Sequence, residues 1–186
     1  MDLMTKLMEY PNIMAAAVKM GKIKRGTFNK KAYDAAEQVW LRTPHEELEK
    51  IDKEIANTEP LFKTCIVTSG GIIYFSLNVL YLIPTRDVCW IYPRIIKNTA
   101  YYIITTGRDH QVWVVDRTGD RHLIYQSFTG PFSKKQPASD IIKKIGEKLY
   151  SSRPGIVFGY SKETDQAFST NPELAASQID AVSNQD

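Results

Sequence analysis

Seven short apolar runs between residues 61 and 127 alternate with turn residues, a pattern typical of β-strands. No connection between them is long enough for a crossover helix, so the pattern predicts a meandering antiparallel sheet. The predicted strands are 61–68, 71–76, 78–83, 87–93, 100–105, 111–116 and 121–127.

Four of the connections carry clear turn signals. The glycines in segments 69–71 and 116–120 tolerate the positive φ of a tight hairpin, so both segments predict hairpins. Proline and aspartate in segment 84–87 predict a turn between the third and fourth strands. Segment 106–109 is predicted to turn between the fifth and sixth strands.

The strand pattern ends after Phe128, where glycine and proline appear. Ser139 is a candidate N-cap for a helix whose apolar stripe is Ile141, Ile142, Ile145 and Leu149. Together these features predict an α+β fold, with a seven-stranded antiparallel bent sheet or partly open barrel capped by a C-terminal helix. An open sheet with the helix on one face is the alternative.

Helical patterns fill the chain before the strands. Residues 2–20 are interrupted at Pro11, residues 29–41 form a second helix, and Thr43 is a predicted N-cap for a third. The predicted domains are a helical segment 1–57, a β-rich domain with its helix 58–160, and a polar, flexible tail 161–186. A short helix over residues 172–179 is the alternative for part of that tail.

Several predicted strands are apolar on both faces, as in Val88 and Trp90 against Cys89 and Ile91. A sheet with one wet face would have polar residues at alternate positions, so both faces must be covered. The N-terminal helices are the first candidate for the cover. A second copy of the chain or another protein is the alternative. The helices' apolar stripes are Tyr33, Ala36 and Trp40, and Leu48, Ile51 and Ile55.

Residues 58–160 resemble the pleckstrin-homology-like (PH-like) domains of uncharacterised bacterial proteins. The segments that carry the resemblance are Leu80-Tyr81-Leu82-Ile83 leading to Asp87-Val88-Cys89-Trp90-Ile91-Tyr92, the hairpin 116–122, the helix from Ser139, and Val157-Phe158-Gly159-Tyr160-Ser161. The resemblance implies seven strands in two near-orthogonal sheets with a C-terminal helix capping one end. It also implies scaffolding or binding more than catalysis.

Composition narrows the classes of protein that fit. The 186 residues have a formal net charge of only +3, which does not favour nucleic acid as a partner. Two cysteines, both in apolar runs, predict buried free thiols. We find no signal-peptide pattern, and the apolar run 71–83 is too short to span a bilayer as a helix, so we expect a cytoplasmic chain.

Catalytic and metal-binding patterns do not emerge from the spacing of reactive residues. His45, His110 and His122 lie in separate elements, so we predict neither a metal site nor a cofactor. Both cysteines have apolar neighbours, unlike a catalytic thiolate. We therefore expect a protein that is not an enzyme; one with an unrecognised pocket is the least favoured reading.

Two functional hypotheses are preferred to catalysis. The first is a module that binds a protein partner, or a second copy of itself, at a sheet edge or beside the C-terminal helix. The second is a reader of anionic surfaces, a lipid headgroup or nucleic acid, through basic loops. The candidate surface is Arg86, Trp90, Tyr92, Arg94, Lys97 and Arg108. A further basic run, Lys19 to Arg25, is interpreted as a solvated connector, with an anion-binding patch as the alternative.

Overall fold

The computed structural model describes residues 2–100 and 104–184. The described chain is α+β and divides by its internal contacts into two compact units, Met1–Arg86 and Asp87–Asp186. The domain boundaries predicted from composition, after residues 57 and 160, stay predictions. No helix in the described ranges is both long and apolar enough to cross a membrane.

The first unit begins with four helices, where the sequence pattern predicted helical structure. They are α1 (Leu3–Met8), α2 (Pro11–Met20), α3 (Lys30–Arg42) and α4 (His45–Ile55). Pro11 stands at the start of α2, where a missing backbone N–H costs nothing. Thr43 is not the cap of α4 as predicted, because its hydroxyl instead donates to the Val39 carbonyl at the end of α3.

Three antiparallel strands complete this unit in the order β1-β2-β3. They are β1 (Cys65–Val67), β2 (Gly71–Ser76) and β3 (Val79–Pro84). The hairpin predicted at 69–71 is confirmed, with the Thr68 N–H donating to the Gly71 carbonyl. Leu77 and Asn78 form the next turn with φ of 49° and 63°.

The helices cover this three-stranded sheet through the predicted apolar stripes. Trp40 is fully buried and its indole N–H donates to the Leu80 carbonyl at 3.0 Å. Ile51 and Ile73 lie in the same core. The stripes of α3 and α4 are therefore core-forming, as predicted, and the strands that they cover are β1 to β3.

The second unit contains a four-stranded sheet in the order β6-β5-β4-β7. Its strands are β4 (Val88–Ala100), β5 (Ile104–Asp116), β6 (Arg121–Thr129) and β7 (Val157–Phe158). The predicted hairpin at 116–120 is confirmed, and Gly119 supplies the positive φ, 86°, that it needs. The strands predicted to form one bent sheet or partly open barrel thus fall into two sheets, and neither is a closed barrel.

The predicted turn at 106–109 is wrong. These residues continue β5 without a break, with Lys97 opposite Arg108 and Asn98 opposite Gly107. Gly107 acts as a strand residue that admits the Phe128 ring, since a Cβ there would lie 2.1 Å from that ring. Of the predicted strand 100–105, residues 101–103 lie outside the described part of the chain.

One face of this sheet is covered by α5 (Pro137–Leu149), which packs on β4, β5 and β6. The helix starts two residues before the predicted cap Ser139, because Pro137 is suited to the first helical position. Its predicted stripe is confirmed at Ile141, Ile145 and Leu149, all buried.

The opposite face is covered by the segment that we predicted to be a flexible tail. This segment forms α6 (Lys162–Thr170) and α7 (Pro172–Ser183). Phe168 and Ile179 pack in one core with Trp90. The prediction that both faces of these strands are covered is confirmed. The helices that cover them are α5 to α7, and not the N-terminal helices as predicted. The tail looked structureless because its few apolar residues are spaced over two short helices.

Candidate anion-binding pocket

The extended ends of β4 and β5 place two cations side by side. Lys97 and Arg108 are directly opposite each other in the antiparallel register. Like charges in such a pair repel and destabilise the strands, unless a negative group lies nearby. The two residues were predicted as members of a ligand surface, and the structure brings them together.

A cavity of about 570 Å³ opens beside this pair. Its lining contains two further cations, Lys134 and Lys135, and no aspartate or glutamate. The lining residues are Ile95, Lys97, Arg108, His110, Pro131, Phe132, Ser133, Lys134, Lys135 and Gln136. Four cations without a carboxylate create a positive potential that attracts anions.

The loop between β6 and α5 forms the second wall of this pocket. The Ser133 N–H donates to the Gly130 carbonyl, which closes a turn, and the Ser133 hydroxyl accepts from the Lys135 N–H at 3.2 Å. The Arg108 guanidinium donates to the Ser133 carbonyl at 3.3 Å, which ties the loop to the strand. This folded loop holds Lys134 and Lys135 at the cavity.

The amino end of α5 adjoins the same cavity. Gln136 lines the pocket and precedes the first helical residue, and its side chain makes no capping hydrogen bond. Unpaired N–H groups at a helix start carry partial positive charge and bind anions. Here, however, Pro137 has no N–H, and the Ser139 and Asp140 N–H groups both donate to the Gln136 carbonyl. The Asp140 carboxylate also lies in the first turn, so the attraction for anions comes from the four cations and not from the helix start.

His110 forms part of the pocket wall and is 1% exposed. Its Nε2 pairs with the Thr129 hydroxyl at 2.9 Å. Its Nδ1 has no hydrogen-bond partner among the residues that the structure describes. A buried polar atom without a partner costs about 1–3 kcal/mol, so this nitrogen is unusual in a folded core.

Two of the aromatic residues predicted for the ligand surface belong to the core. Trp90 is fully buried, and its indole N–H donates to the Gly159 carbonyl at 2.6 Å. The Tyr92 ring stacks on the Trp90 ring with centroids 4.2 Å apart. Both residues stand on β4 and share one core with α6 and α7. Trp90 therefore does not reach a ligand surface, whereas Tyr92 also lines the cavity that contains Arg94.

Arg94 is exposed on β4 and lines a different cavity of about 450 Å³. The neighbouring cation in that cavity, Arg121, is 2.6 Å from the Asp165 carboxylate. The ion pair neutralises much of the local charge, and this cavity is therefore less suited to an anion. The last predicted surface residue, Arg86, lies in the first unit and pairs with Glu47.

His110, Lys134 and Lys135 were missed by sequence reasoning. Segment 130–137 was interpreted only as a break between the last strand and the helix. The available signal was a pair of adjacent lysines, Lys134 and Lys135, in a segment without an acidic residue. The burial of His110 has no signature in a single sequence, because it depends on how β5, β6 and the loop meet.

The two cysteines and the possible metal ligands do not form a second reactive site among the described residues. Cys65 and Cys89 are free and buried, as predicted. Burial raises the pKa of both thiols, that of Cys89 to about 11, which disfavours a reactive thiolate. Among residues 2–100 and 104–184, no three His, Cys, Asp or Glu side chains are grouped so that they could hold a metal ion.

Comparisons of this chain with protein-family models, with curated proteins and with solved structures found no match. The pocket's chemistry is therefore the guide to function.

Proposed function

We propose that the chain is a non-catalytic binding module and that the basic pocket of its second unit holds a phosphate-bearing ligand. One observation carries this proposal: four cations converge on one cavity whose lining includes no carboxylate. A bound anion would also reduce the electrostatic repulsion between the Lys97 and Arg108 side chains.

Phosphate fits the pocket better than a single carboxylate. A guanidinium matches the geometry of phosphate oxygens, and lysines add point charges around it. Phosphate carries up to two charges, so it gains more from four converging cations than a monovalent acid does.

Binding is proposed instead of turnover because of what lines the cavity. The lining contains no Asp, Glu or Cys side chain, and its histidine is almost completely buried. The PH-like resemblance remains a proposal too. It is supported by the antiparallel run β4 to β6 followed by α5, since such a meander closed by a helix is what the resemblance implies.

Calorimetric titration with inorganic pyrophosphate tests the pocket. We expect binding at low salt that weakens as salt is added, because exposed charges are screened. Arg108→Gln, and the pair Lys134→Gln with Lys135→Gln, should each weaken binding by about tenfold or more, equivalent to about 1.4 kcal/mol.

The matched control is Lys148→Gln. Lys148 is exposed in the last turn of the same helix, at the end remote from the pocket. Its loss should leave the affinity for pyrophosphate unchanged. Equal losses for Lys148→Gln and Arg108→Gln would show a nonspecific charge effect and reject the pocket.

A second candidate function is association through a sheet edge. Among the described strands, β7 pairs with β4 only at Trp90 and Ile91, so the segment of β4 from Pro93 onward pairs on one side alone. Open edges accept a further strand. Sedimentation velocity should show self-association that Ile95→Lys weakens, since an edge lysine blocks pairing. A monomer at all protein concentrations would reject self-association through this edge.

A further inference from the structure

Two loops at one end of the first unit are held together by hydrogen bonds. The Lys24 N–H donates to the Asn78 carbonyl at 2.9 Å. The Asn29 side-chain amide donates to the carbonyls of Leu77 and Lys24 at 2.8 and 2.9 Å. The connection from α2 to α3 and the turn between β2 and β3 therefore form one continuous surface.

Each of these loops carries a large apolar side chain that projects into solvent. Phe28 is fully exposed, and Leu77 is 80% exposed. Single exposed apolar residues are common, but these two stand on loops that are bonded to each other. Because both side chains project from turns into solvent, they suit a soft apolar phase better than a rigid partner.

Leucine is an unfavourable choice for position 77 on conformational grounds. Its φ of 49° lies in the left-handed region, where the Cβ of most residues costs about 1–2 kcal/mol. Asparagine or glycine is preferred in such hairpin turns. Because the Leu77 side chain is exposed, burial does not offset this conformational cost. Packing within the unit therefore does not explain a leucine at this position.

Cations surround the two apolar tips. Residues 22–31 contain five Lys or Arg and no Asp or Glu. Arg25 forms a bidentate pair with Asp34, at 2.6 and 2.9 Å. The other four are exposed lysines: Lys22, Lys24, Lys30 and Lys31. Part of the basic run Lys19 to Arg25, interpreted from sequence as a solvated connector, thus lies beside the exposed Phe28.

We propose that this surface, Lys22 to Lys31 with Leu77, docks the chain on an anionic lipid membrane. Phe28 and Leu77 enter the boundary between headgroups and acyl chains, while the lysine ammonium groups contact the lipid phosphates. Charge complementarity selects an anionic leaflet. This site lies in the first unit and is independent of the phosphate pocket proposed above.

Co-sedimentation with vesicles tests the membrane surface in the full chain. Vesicles of phosphatidylcholine with phosphatidylserine should bind the protein, and vesicles of phosphatidylcholine alone should bind it far less. Lys30→Gln with Lys31→Gln should lower partitioning by about fivefold per lysine. Phe28→Ser with Leu77→Asn should also reduce it, and Leu77→Asn should not lower the midpoint of thermal unfolding, since asparagine accepts the positive φ.

The controls separate this surface from the pocket and from other exposed groups. Val18→Ser and Lys53→Gln alter an exposed apolar residue and an exposed lysine elsewhere in the same unit, and should leave vesicle binding unchanged. Arg108→Gln should also leave it unchanged. Vesicle binding lost with Arg108→Gln but kept with the Phe28 and Leu77 changes would overturn the proposal. Binding to a short oligonucleotide but not to vesicles would overturn it as well.

Discussion

The Asp116 carboxylate organises the turn between β5 and β6. Its Oδ1 accepts hydrogen bonds from the Thr118 N–H, the Thr118 hydroxyl and the Asp120 N–H, and its Oδ2 lies 3.0 Å from His122 Nε2. Burial alone would raise the pKa of Asp116, but the hydrogen bonds from His122 and Thr118 outweigh it and lower that pKa. The ionised form is thus the one that stabilises the turn.

Asp116→Asn is expected to lower the free energy of unfolding by about 1–3 kcal/mol, since several bonds to a charged acceptor are weakened. A carboxylate with a lowered folded pKa stabilises the protein above its unfolded value, about 3.9, and loses this effect as the pH falls through the folded pKa. Urea unfolding at several pH values should show the difference between the proteins shrinking below about pH 4. Asp120→Asn, at an exposed turn position, serves as the control.

At the scale of elements, the two C-terminal helices show how a polar segment can still supply a core. Ile179 in α7 is buried and shares a cluster with Phe168 of α6 and Trp90 of β4. Asn171 accepts a hydrogen bond from the Leu174 N–H and caps α7, and Ser161 caps α6 in the same way. These capping hydrogen bonds stabilise two short helices that contain few apolar residues, and the helices then bury one face of the sheet.

Ile179→Ala should destabilise the second unit by about 2–4 kcal/mol, because it leaves a cavity beside Trp90. Val182→Ala changes an exposed residue of the same helix and should have an effect within about 0.5 kcal/mol. Urea unfolding followed by tryptophan fluorescence distinguishes the two variants. If both were equally harmless, α7 would not be part of the core.

At the scale of the molecule, each unit has its own sheet with helices packed against it. In the first unit, α1 to α4 share one core with the β1 to β3 sheet, and α3 packs directly on β3. In the second, the sheet built on the long β4–β5 hairpin lies between α5 and the pair α6–α7. The residues of the proposed phosphate pocket belong to the second unit, and those of the proposed membrane surface belong to the first.

The local signals in the sequence predicted most elements of both units. The Gly119 turn, the Pro11 and Pro137 helix starts and the stripe through Ile141 and Leu149 all depend on short-range geometry, which neighbouring residues determine. The prediction was wrong at Gly107, where a glycine that suggested a turn lies inside β5. This position needs a glycine because the Phe128 ring on the adjacent strand fills the space of a side chain. That contact is visible only after the strands pair.

The amino-acid sequence by itself determined the strand-rich centre, the helical start of the chain and the burial of Cys65 and Cys89, since hydrophobic periodicity and turn chemistry are local. Tertiary structure alone decided which helices cover which sheet, because any apolar stripe of suitable width can pack on any apolar face. It also decided the candidate pocket: Lys97, Arg108 and Lys134 are distant in sequence, and only strand register and the path of one loop bring their charges together.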